Sequence, residues 1–448
     1  MRRSLTQIRD VISGTAFEGD VWLVGGSVRD ELLGRPLKAD IDLVTRGSSA
    51  ELANLLYRAG LSTVKPVTYE RFGTAMVRID QEQIEIVTAR KESYESASRK
   101  PNVEPATILE DAQRRDFTVN ALLKNLSTGE LLDPLEIGLA DLRQGILRTP
   151  LDPRATFHDD PLRMLRAVRF RWQLGFNPAA GLYEAIGQEA ERLSIISAER
   201  IRDEFVKILG LPTAPEALQD LLNLGLLDQF APEFRAMVGV EQGSYHHLDV
   251  WNHTLLVVRN AGNHDPIVTL GALFHDIGKP PTQSIDSSGN IRFFSHESVG
   301  ARMTEEIMRR LKFPGRDIEA VTKLVRNHMR LGSAPEFTPS AARRLLRDLG
   351  EETDRLLALV EADANGLKRG VRVLDLTSIR KRLQEVRVVT PKETLQSPLS
   401  GVEIMELLNI PAGPEVGVWK GKLLEKVLEG ELQPGDKEAA KRLLITTD

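Results

Sequence analysis

Apolar and polar positions follow two different patterns along the chain, and the change comes near residue 150. Before that point, continuous apolar runs and strict alternation predict strands, and three- to four-residue spacing predicts short helices between them. The clearest run is VWLV, which predicts a buried strand that stops at two glycines. Strands are predicted at residues 21–24, 40–44, 74–79 and 83–87, and helices at residues 1–20, 28–33, 49–59 and 111–123.

Beyond residue 150 the strand signals largely cease and helical spacing takes over. The predicted fold class is therefore α+β: a small mixed sheet with helices, followed by a mostly α-helical body. Helices are predicted at residues 159–170, 197–209, 404–408 and 419–428, with a linker at 391–398. We expect four domains, at residues 1–148, 149–235, 236–370 and 371–448.

Composition narrows the classes of protein and of site. The 448 residues are 41% hydrophobic and 27% charged, which is enough to bury large cores. The chain has no cysteine, so disulfides and thiolate metal sites are excluded. We find no apolar run that could span a bilayer and no secretion signal, and we expect a cytoplasmic protein. The net charge of −5 argues against a wholly basic nucleic-acid coat, although basic residues can still cluster on one face.

Two stretches near the amino terminus carry groups suited to phosphate chemistry. Gly25 and Gly26 have no Cβ, so a ligand can approach their backbone closely, and the helix start after them offers N–H groups to an anion. Alternation in the next strand puts Asp40 and Asp42 on one face, about 7 Å apart. Two such carboxylates repel each other unless a cation lies between them, and oxygen ligands suit Mg²⁺, which also binds substrate phosphates.

A stripe of arginines on one predicted helix indicates how a nucleotide base could be selected. Arg163, Arg166 and Arg169 recur every third residue on the predicted helix 159–170. Because the stripe carries only positive charges, it suits recognition of a triphosphate and a base better than the role of a solvent-exposed helix face. If Asp160 accepts and Arg163 donates hydrogen bonds along one base edge, cytosine and adenine complement the pair, because both present an amino donor beside a ring-nitrogen acceptor. Uracil and guanine present a carbonyl acceptor beside a ring N–H donor, so each would place an acceptor against Asp160 and a donor against Arg163.

The two glycines, the two aspartates and this stripe together resemble the class II tRNA nucleotidyltransferases and bacterial poly(A) polymerases of the polymerase-β superfamily. The matching stretches are GGSVRD at 25–30, DIDLVT at 40–45, RRDFTVNA at 114–121 and DDPLR at 159–163. The resemblance implies a nucleotidyltransferase head, then a helical neck, and a tail that contacts tRNA. Asp159 stands where the family more often has Glu, which leaves Asp160 and Arg163 intact.

The same resemblance implies roles for individual residues. Asp40 and Asp42 would hold Mg²⁺, and Gly26 and Arg29 would position phosphate or ribose. Arg115 would contact the nucleotide. Three further roles stay open: Asp116 and Asn120 either contact the nucleotide or tie their helix to the sheet, and Glu85 is either a third metal ligand or a solvent-facing residue. The polar stretch at 91–105 is either a gating loop or a plain surface connection.

A second cluster of chemistry lies in the body. Seven of the eight histidines fall between residues 246 and 328, and the stretch FHDIGKP at 274–280 resembles the HD phosphohydrolase superfamily. The resemblance implies one or two divalent ions, and imidazole with carboxylate suits Mn²⁺, Ni²⁺, Zn²⁺ or Fe. The candidate ligands are His253, His275, Asp276, His296, His328 and Asp363.

The first interpretation is template-independent addition of CMP and AMP to the tRNA 3′ end, from CTP and ATP, with no membrane or DNA partner. Close alternatives are a CC-adding enzyme, an A-adding enzyme and a poly(A) polymerase, which share the head motifs. Two other classes remain: a phosphohydrolase whose main activity is the HD site, and a non-catalytic RNA-binding protein. An HD domain that is purely structural is a further alternative.

Overall fold

The computed structural model describes residues 2–36, 41–93, 102–243, 248–331, 337–366, 374–389 and 395–445. The chain divides into two compact units, Met1–Pro232 and Glu233–Asp448. This division falls near the predicted boundary between residues 235 and 236, and the four-domain scheme stays a prediction.

The amino-terminal unit contains a mixed sheet. Its strands are β1 (Val21–Val24), β2 (Ile41–Thr45), β3 (Val67–Tyr69), β4 (Thr74–Ile79), β5 (Glu82–Thr88), β6 (Arg90–Ser93), β7 (Asn102–Pro105), β8 (Leu123–Asn125), β9 (Leu131–Leu132), β10 (Ile146–Leu147) and β11 (Asn177–Pro178). Seven of them form one sheet in the order β3-β4-β5-β2-β1-β8-β9. Only β2 and β5 pair in parallel within it, among the strands that are described. The predicted pairing of 74–79 with 83–87 is confirmed.

Ten α-helices are described in this unit, on and beyond the sheet. They are α1 (Arg3–Ile12), α2 (Gly26–Leu32), α3 (Ser49–Arg58), α4 (Ile108–Gln113), α5 (Gly138–Gln144), α6 (Pro153–Asp159), α7 (Leu162–Leu174), α8 (Leu182–Glu189), α9 (Ala198–Leu209) and α10 (Ala214–Asn223). All four residues of β1 are buried, as an apolar run predicts. Trp22 and Val24 pack with Val44 and Leu123 across three neighbouring strands, so the strand before the glycine turn is held firmly in the sheet.

Three predicted helices differ from the structure. Residues 111–123 do not form one helix, because α4 ends at Gln113 and a short 3₁₀ turn covers Thr118–Asn120. The Asp116 carboxylate accepts the Phe117 N–H at 2.8 Å, a local bond that competes with helix formation. Helix 159–170 is split between α6 and α7, because Pro161 disfavours helical backbone at the residue before it. The first helix ends at Ile12.

The carboxy-terminal unit is mostly helical. Its helices are α11 (Val250–Ala261), α12 (Pro266–Phe274), α13 (Lys279–Thr282), α14 (His296–Arg310), α15 (Gly315–Asn327), α16 (Pro339–Leu349), α17 (Thr353–Ala364), α18 (Leu376–Val389), α19 (Gly401–Leu408), α20 (Pro414–Glu429) and α21 (Lys437–Ile445). A hairpin joins β12 (Gln283–Ile285) to β13 (Ile291–Phe293). The predicted helices at 404–408 and 419–428 are confirmed within α19 and α20, whereas α18 and α21 are not predicted.

Helix α12 is the central element of this unit. Residues 267–274 are all buried, and α12 packs against α11, α15 and α17. Gly278, just after α12, allows the start of α14 to approach closely. A Cβ there would lie 2.2 Å from the His296 carbonyl oxygen and 2.6 Å from the Gly300 nitrogen. Any larger residue would separate the two segments. Within the described residues, no helix has both the length and the apolar character to cross a membrane.

Candidate active site and metal centre

The glycine turn lies directly beside β2, the strand that carries Asp42. Gly25 adopts a left-handed φ of 74°, which glycine tolerates and L side chains rarely adopt. A Cβ on Gly25 would lie 3.4 Å from Oδ2 of Asp42, so the turn and the carboxylate form one surface. Asp40 lies outside the described residues, and its shared face with Asp42 stays a prediction.

Parallel pairing of β2 and β5 brings a second carboxylate to Asp42. Asp42 and Glu85 are direct register partners, and Glu85 is half-buried. Burial raises the pKa of Glu85, and the Asp42 carboxylate raises it further. A cation between these groups would relieve their repulsion. The arrangement favours the metal-ligand alternative for Glu85 without deciding it.

A cavity of about 370 Å³ opens between the glycine turn and α7. Most of its polar lining is charged, which suits an anionic ligand. Its described lining consists of Gly25, Gly26, Ser27, Arg29, Asp30, Asp42, Arg115, Asp116, Asn120, Arg166, Arg169, Phe170 and Lys207. Sequence reasoning missed Ser27, Asp30, Phe170 and Lys207. The first two lie inside the stretch GGSVRD, so their position next to Gly26 and Arg29 was an available signal.

A chain of hydrogen bonds connects opposite walls of this cavity. Arg29 donates to Oδ1 of Asn120 at 2.6 Å, and Asn120 donates to Oδ1 of Asp116 at 3.0 Å. Arg166 on α7 donates to Oδ2 of Asp116 at 2.8 and 2.5 Å. Burial alone would raise the pKa of Asp116, but Arg166 and Asn120 outweigh it and lower the pKa to about 2. Asp116 and Asn120 therefore tie the turn after α4 to both α2 and α7.

The remaining arginines are also anchored. Arg115 donates to Oδ2 of Asp111 at 3.1 and 2.8 Å. Arg169 donates through Nε to the buried carboxylate of Glu204 on α9. The guanidinium carbons of Arg29 and Arg169 lie 5.1 and 4.1 Å from the ring centre of Phe170. These contacts fix the positions of the cations before a ligand arrives.

The proposed base-reading pair is turned toward protein groups. Arg163 donates to the carbonyl oxygens of Arg114 at 2.5 Å and Thr156 at 3.4 Å. Asp160 accepts from Arg200 at 3.1 Å. Neither Asp160 nor Arg163 belongs to the described lining of the cavity. Their base-reading role stays a prediction, and it requires both side chains to exchange these partners for a base.

In the carboxy-terminal unit, the six predicted ligands come together. They form two groups, His253 with His275 and Asp363, and Asp276 with His296 and His328; the ligand atoms within each group lie within 4.8 Å of one another. The Asp276 carboxylate joins the groups. Its Oδ2 is 3.1 Å from Nε2 of His275, and its Oδ1 is 3.5 Å from Nε2 of His296.

Backbone carbonyls orient three of the histidine rings. Nδ1 of His275 donates to the Ala272 carbonyl, and Nδ1 of His296 donates to that of Phe293, both at 2.8 Å. His328 makes the same contact with Val325 at 2.7 Å. A carbonyl only accepts, so each Nδ1 carries a proton, and a neutral ring then offers Nε2 as a metal-binding lone pair.

The electrostatics of this cluster fit divalent cations. Nε2 of His296 faces Nε2 of His328 at 3.3 Å, and Nε2 of His275 faces Oδ2 of Asp276 at 3.1 Å. Burial lowers the pKa of His296 and lowers that of His328 to about 4, so both rings are neutral at pH 7, the form that binds metals. Facing lone pairs are unfavourable unless a cation lies between them. Lys279, which the sequence analysis gave no role, donates to Oδ2 of Asp276 at 2.7 Å.

Three family models match the chain in order. They are the poly A polymerase head domain at residues 21–148, the probable RNA and SrmB-binding site of polymerase A at 175–237, and the HD domain at 243–375. The A-adding tRNA nucleotidyltransferase of Deinococcus radiodurans is 34% identical, and the match covers 92% of each chain. This chain belongs to the tRNA nucleotidyltransferase family.

Family members that are named for different additions to tRNA match this chain at similar sequence identity. The CC-adding tRNA nucleotidyltransferase of Thermus thermophilus is 32% identical over 95% of this chain and 93% of its own. The multifunctional CCA protein of Pseudomonas paraeruginosa is 31% identical over 87% and 95%. The crystal structure of the Bacillus stearothermophilus CCA-adding enzyme in complex with CTP has a TM-score of 0.73 at 24% identity, covering 100% of this chain and 98% of that one. The predicted α+β fold is thereby confirmed.

Proposed function

We propose that this tRNA nucleotidyltransferase adds CMP and AMP to the 3′ end of tRNA without a template, using CTP, ATP and Mg²⁺. The observation that carries the proposal is the cavity in which the glycine turn, Asp42 and several anchored arginines meet. A-adding, CC-adding and multifunctional CCA relatives match at similar identity, so addition of the full CCA is the proposal, and CC-only, A-only or poly(A) addition are its alternatives.

Each wall of the cavity has a role in this reaction. The backbone of Gly25 and Gly26 lets a triphosphate approach closely, and Arg29, Arg166 and Arg169 offer it positive charge. Asp42, with Asp40, would hold Mg²⁺. Bound there, Mg²⁺ lowers the pKa of the tRNA 3′-hydroxyl and neutralises charge on the leaving pyrophosphate. Because the arginines are held by carboxylates, their donors need little rearrangement when the nucleotide binds.

Base selection would use Asp160 and Arg163. The acceptor and donor match the edges of cytosine and adenine, as the residue types predict. Since Asp160 accepts from Arg200 in this structure, a base must displace that guanidinium. Selection would therefore be a competition between the base edge and a protein partner.

One experiment separates the alternatives. Purified protein is incubated with tRNAs that end before, within and just short of CCA, first with each nucleotide triphosphate separately and then with CTP and ATP together. Full CCA addition predicts that every tRNA is completed when CTP and ATP are both present. A CC-adding enzyme would stop two residues after the discriminator base, an A-adding enzyme would extend only the tRNA lacking the last adenosine, and a poly(A) polymerase would make long products from ATP alone.

We propose a second activity for the carboxy-terminal unit, metal-dependent phosphohydrolysis. The six clustered ligands and the three oriented imidazoles support it, and Mn²⁺, Ni²⁺, Zn²⁺ or Fe would suit these donors. The Asp276 carboxylate faces both groups of ligands, an arrangement that fits two ions. The proposed tRNA nucleotidyltransferase function also fits the cytoplasmic location that the sequence predicts.

A further inference from the structure

Helix α9 contributes one side chain to the nucleotide cavity, Lys207, among the lining residues that the structure describes. The helix is fixed by a buried apolar face that includes Phe205 and Ile208. Glu204 and Lys207 are three residues apart, so they lie on the same side of the helix. This side faces α7, where Arg169 donates to Glu204.

Lys207 differs from the other cations of the cavity. Of the five cationic side chains in the described lining, the four arginines each donate hydrogen bonds to a carboxylate. Nζ of Lys207 is 3.6 Å from Oε2 of Glu204, which is beyond hydrogen-bond distance, and its side chain is 60% exposed. Each arginine has committed at least two of its five N–H donors to protein acceptors, whereas the three donors of the Lys207 ammonium remain available to a ligand.

Glu204 explains why the lysine stays near the cavity. Its carboxylate is 2% exposed, and Arg169 occupies Oε1 while Oε2 faces Lys207. A second cation beside this oxygen is attracted to it without being bound tightly. An ammonium in this state can turn toward an anion at small energetic cost.

We propose that Lys207 binds the β- or γ-phosphate of the incoming nucleotide and that Glu204 positions it. The inference rests on the proposed nucleotidyltransferase function and adds a residue to which the sequence assigned no nucleotide-binding role. Phosphate chemistry is present both in the nucleotide triphosphate and in the tRNA backbone. The volume of the cavity, about 370 Å³, and its glycine turn favour the nucleotide.

The test measures binding rather than turnover. Dissociation constants of CTP, ATP and CMP are measured by calorimetry with Mg²⁺ and without tRNA, and tRNA affinity is measured separately. Lys207→Gln should weaken CTP and ATP about three- to tenfold and leave CMP nearly unchanged, because a partly exposed charged contact is screened by salt. Lys207→Arg should restore most of the affinity. The matched control is Arg202→Gln on the same helix, which removes a cation paired with Asp203 outside the described lining.

Two results would overturn the inference. If Lys207→Gln binds CTP and ATP like the parent protein, Lys207 holds no phosphate there. If only tRNA affinity falls, and the slope of its logarithm against the logarithm of salt concentration decreases by about one, Lys207 contacts a phosphate of the RNA. Failure of the parent protein to bind either nucleotide would instead contradict the proposed function. Unfolding temperatures of both variants check that the fold is intact.

Discussion

The nucleotide cavity and the histidine cluster both gather charged residues from distant parts of the chain, but they balance charge differently. In the cavity, each arginine is already paired with a carboxylate of the protein, as Arg166 is with Asp116. In the cluster, His296 and His328 present facing lone pairs, and Nε2 of His275 faces the Asp276 carboxylate. The arginines of the cavity are charge-paired without a ligand, whereas the histidines of the cluster are completed by a cation. Metal should therefore contribute to stability in the second region and to chemistry in the first.

The largest expected effect is on chemistry in the cavity. Asp42→Ala should reduce nucleotide transfer by about a thousandfold or more, since metal stabilisation of the transition state is worth several kcal/mol. The affinity for tRNA should stay close to that of the parent protein, because the substitution removes no cation. Single-turnover transfer and tRNA binding are the two measurements. Transfer at a near-normal rate would show that Asp42 holds no catalytic metal.

The next prediction tests whether the two regions act separately. His275→Ala combined with Asp276→Ala should remove bound transition metal and any phosphohydrolase activity, while nucleotide transfer survives. A chelator should lower the unfolding temperature of the parent protein but not that of the double variant. Metal content is measured by mass spectrometry, with His264→Ala, an exposed histidine outside the cluster, as the control. Unchanged metal content in the double variant would contradict the ligand set.

Base selection should show a smaller effect. Asp160→Ala and Arg163→Ala should each lower discrimination against UTP and GTP about tenfold to hundredfold, because an unpaired polar group costs about 1–3 kcal/mol. Incorporation of all four nucleotides is measured in single turnovers. Arg200→Ala is the control, since Arg200 is the partner that Asp160 has in this structure. If Arg200→Ala relaxes selection as much as Asp160→Ala does, the ion pair rather than base reading is responsible.

The smallest effect concerns stability and pH. The folded-state pKa of Asp116 is lowered from 3.8 to about 2, so its ionised form stabilises the fold above pH 4 and this stabilisation is lost as pH falls toward 2. Asp116→Asn should lower the free energy of unfolding at pH 7 by about 2 kcal/mol. The difference from the parent protein should shrink between pH 4 and pH 2 in denaturant titrations.

A surface carboxylate provides the control for this measurement. Asp10 is 65% exposed and pairs with Arg9, so Asp10→Asn should change stability little at any pH. A constant difference between Asp116→Asn and the parent protein across the whole pH range would mean that packing, not charge, explains the loss.

Sequence patterns predicted individual strands and helices better than they predicted which of these elements lie side by side. The alternation at 74–79 and 83–87 correctly predicted a hairpin, because side-chain period reports which face is buried. The parallel pairing that puts Glu85 beside Asp42 could not be predicted, since strand order depends on packing across the whole sheet. Residues 111–123 were predicted as a helix because apolar spacing ignores the local bond between Asp116 and the Phe117 N–H.

The two regions also differ in how far their residues could be anticipated. The clustering of histidines and the resemblance of FHDIGKP to HD phosphohydrolases together indicated the cluster, and all six predicted ligands lie together. What the types could not show is the orientation of each ring, which depends on carbonyls such as that of Ala272. Lys207 was given no role at the site, because the charges of helix 197–209 fit pairing along the helix, and only the packing of α9 places the side chain at the cavity.

The unequal exposure of the cluster's ligands has a consequence for how ions enter. The Asp363 side chain is 23% exposed, whereas those of the other five ligands are 8% exposed or less. An ion held by His253, His275 and Asp363 would therefore meet water at one ligand, whereas an ion held by Asp276, His296 and His328 would be enclosed by more deeply buried side chains. The first ion should exchange faster than the second, so chelation would proceed in two kinetic phases.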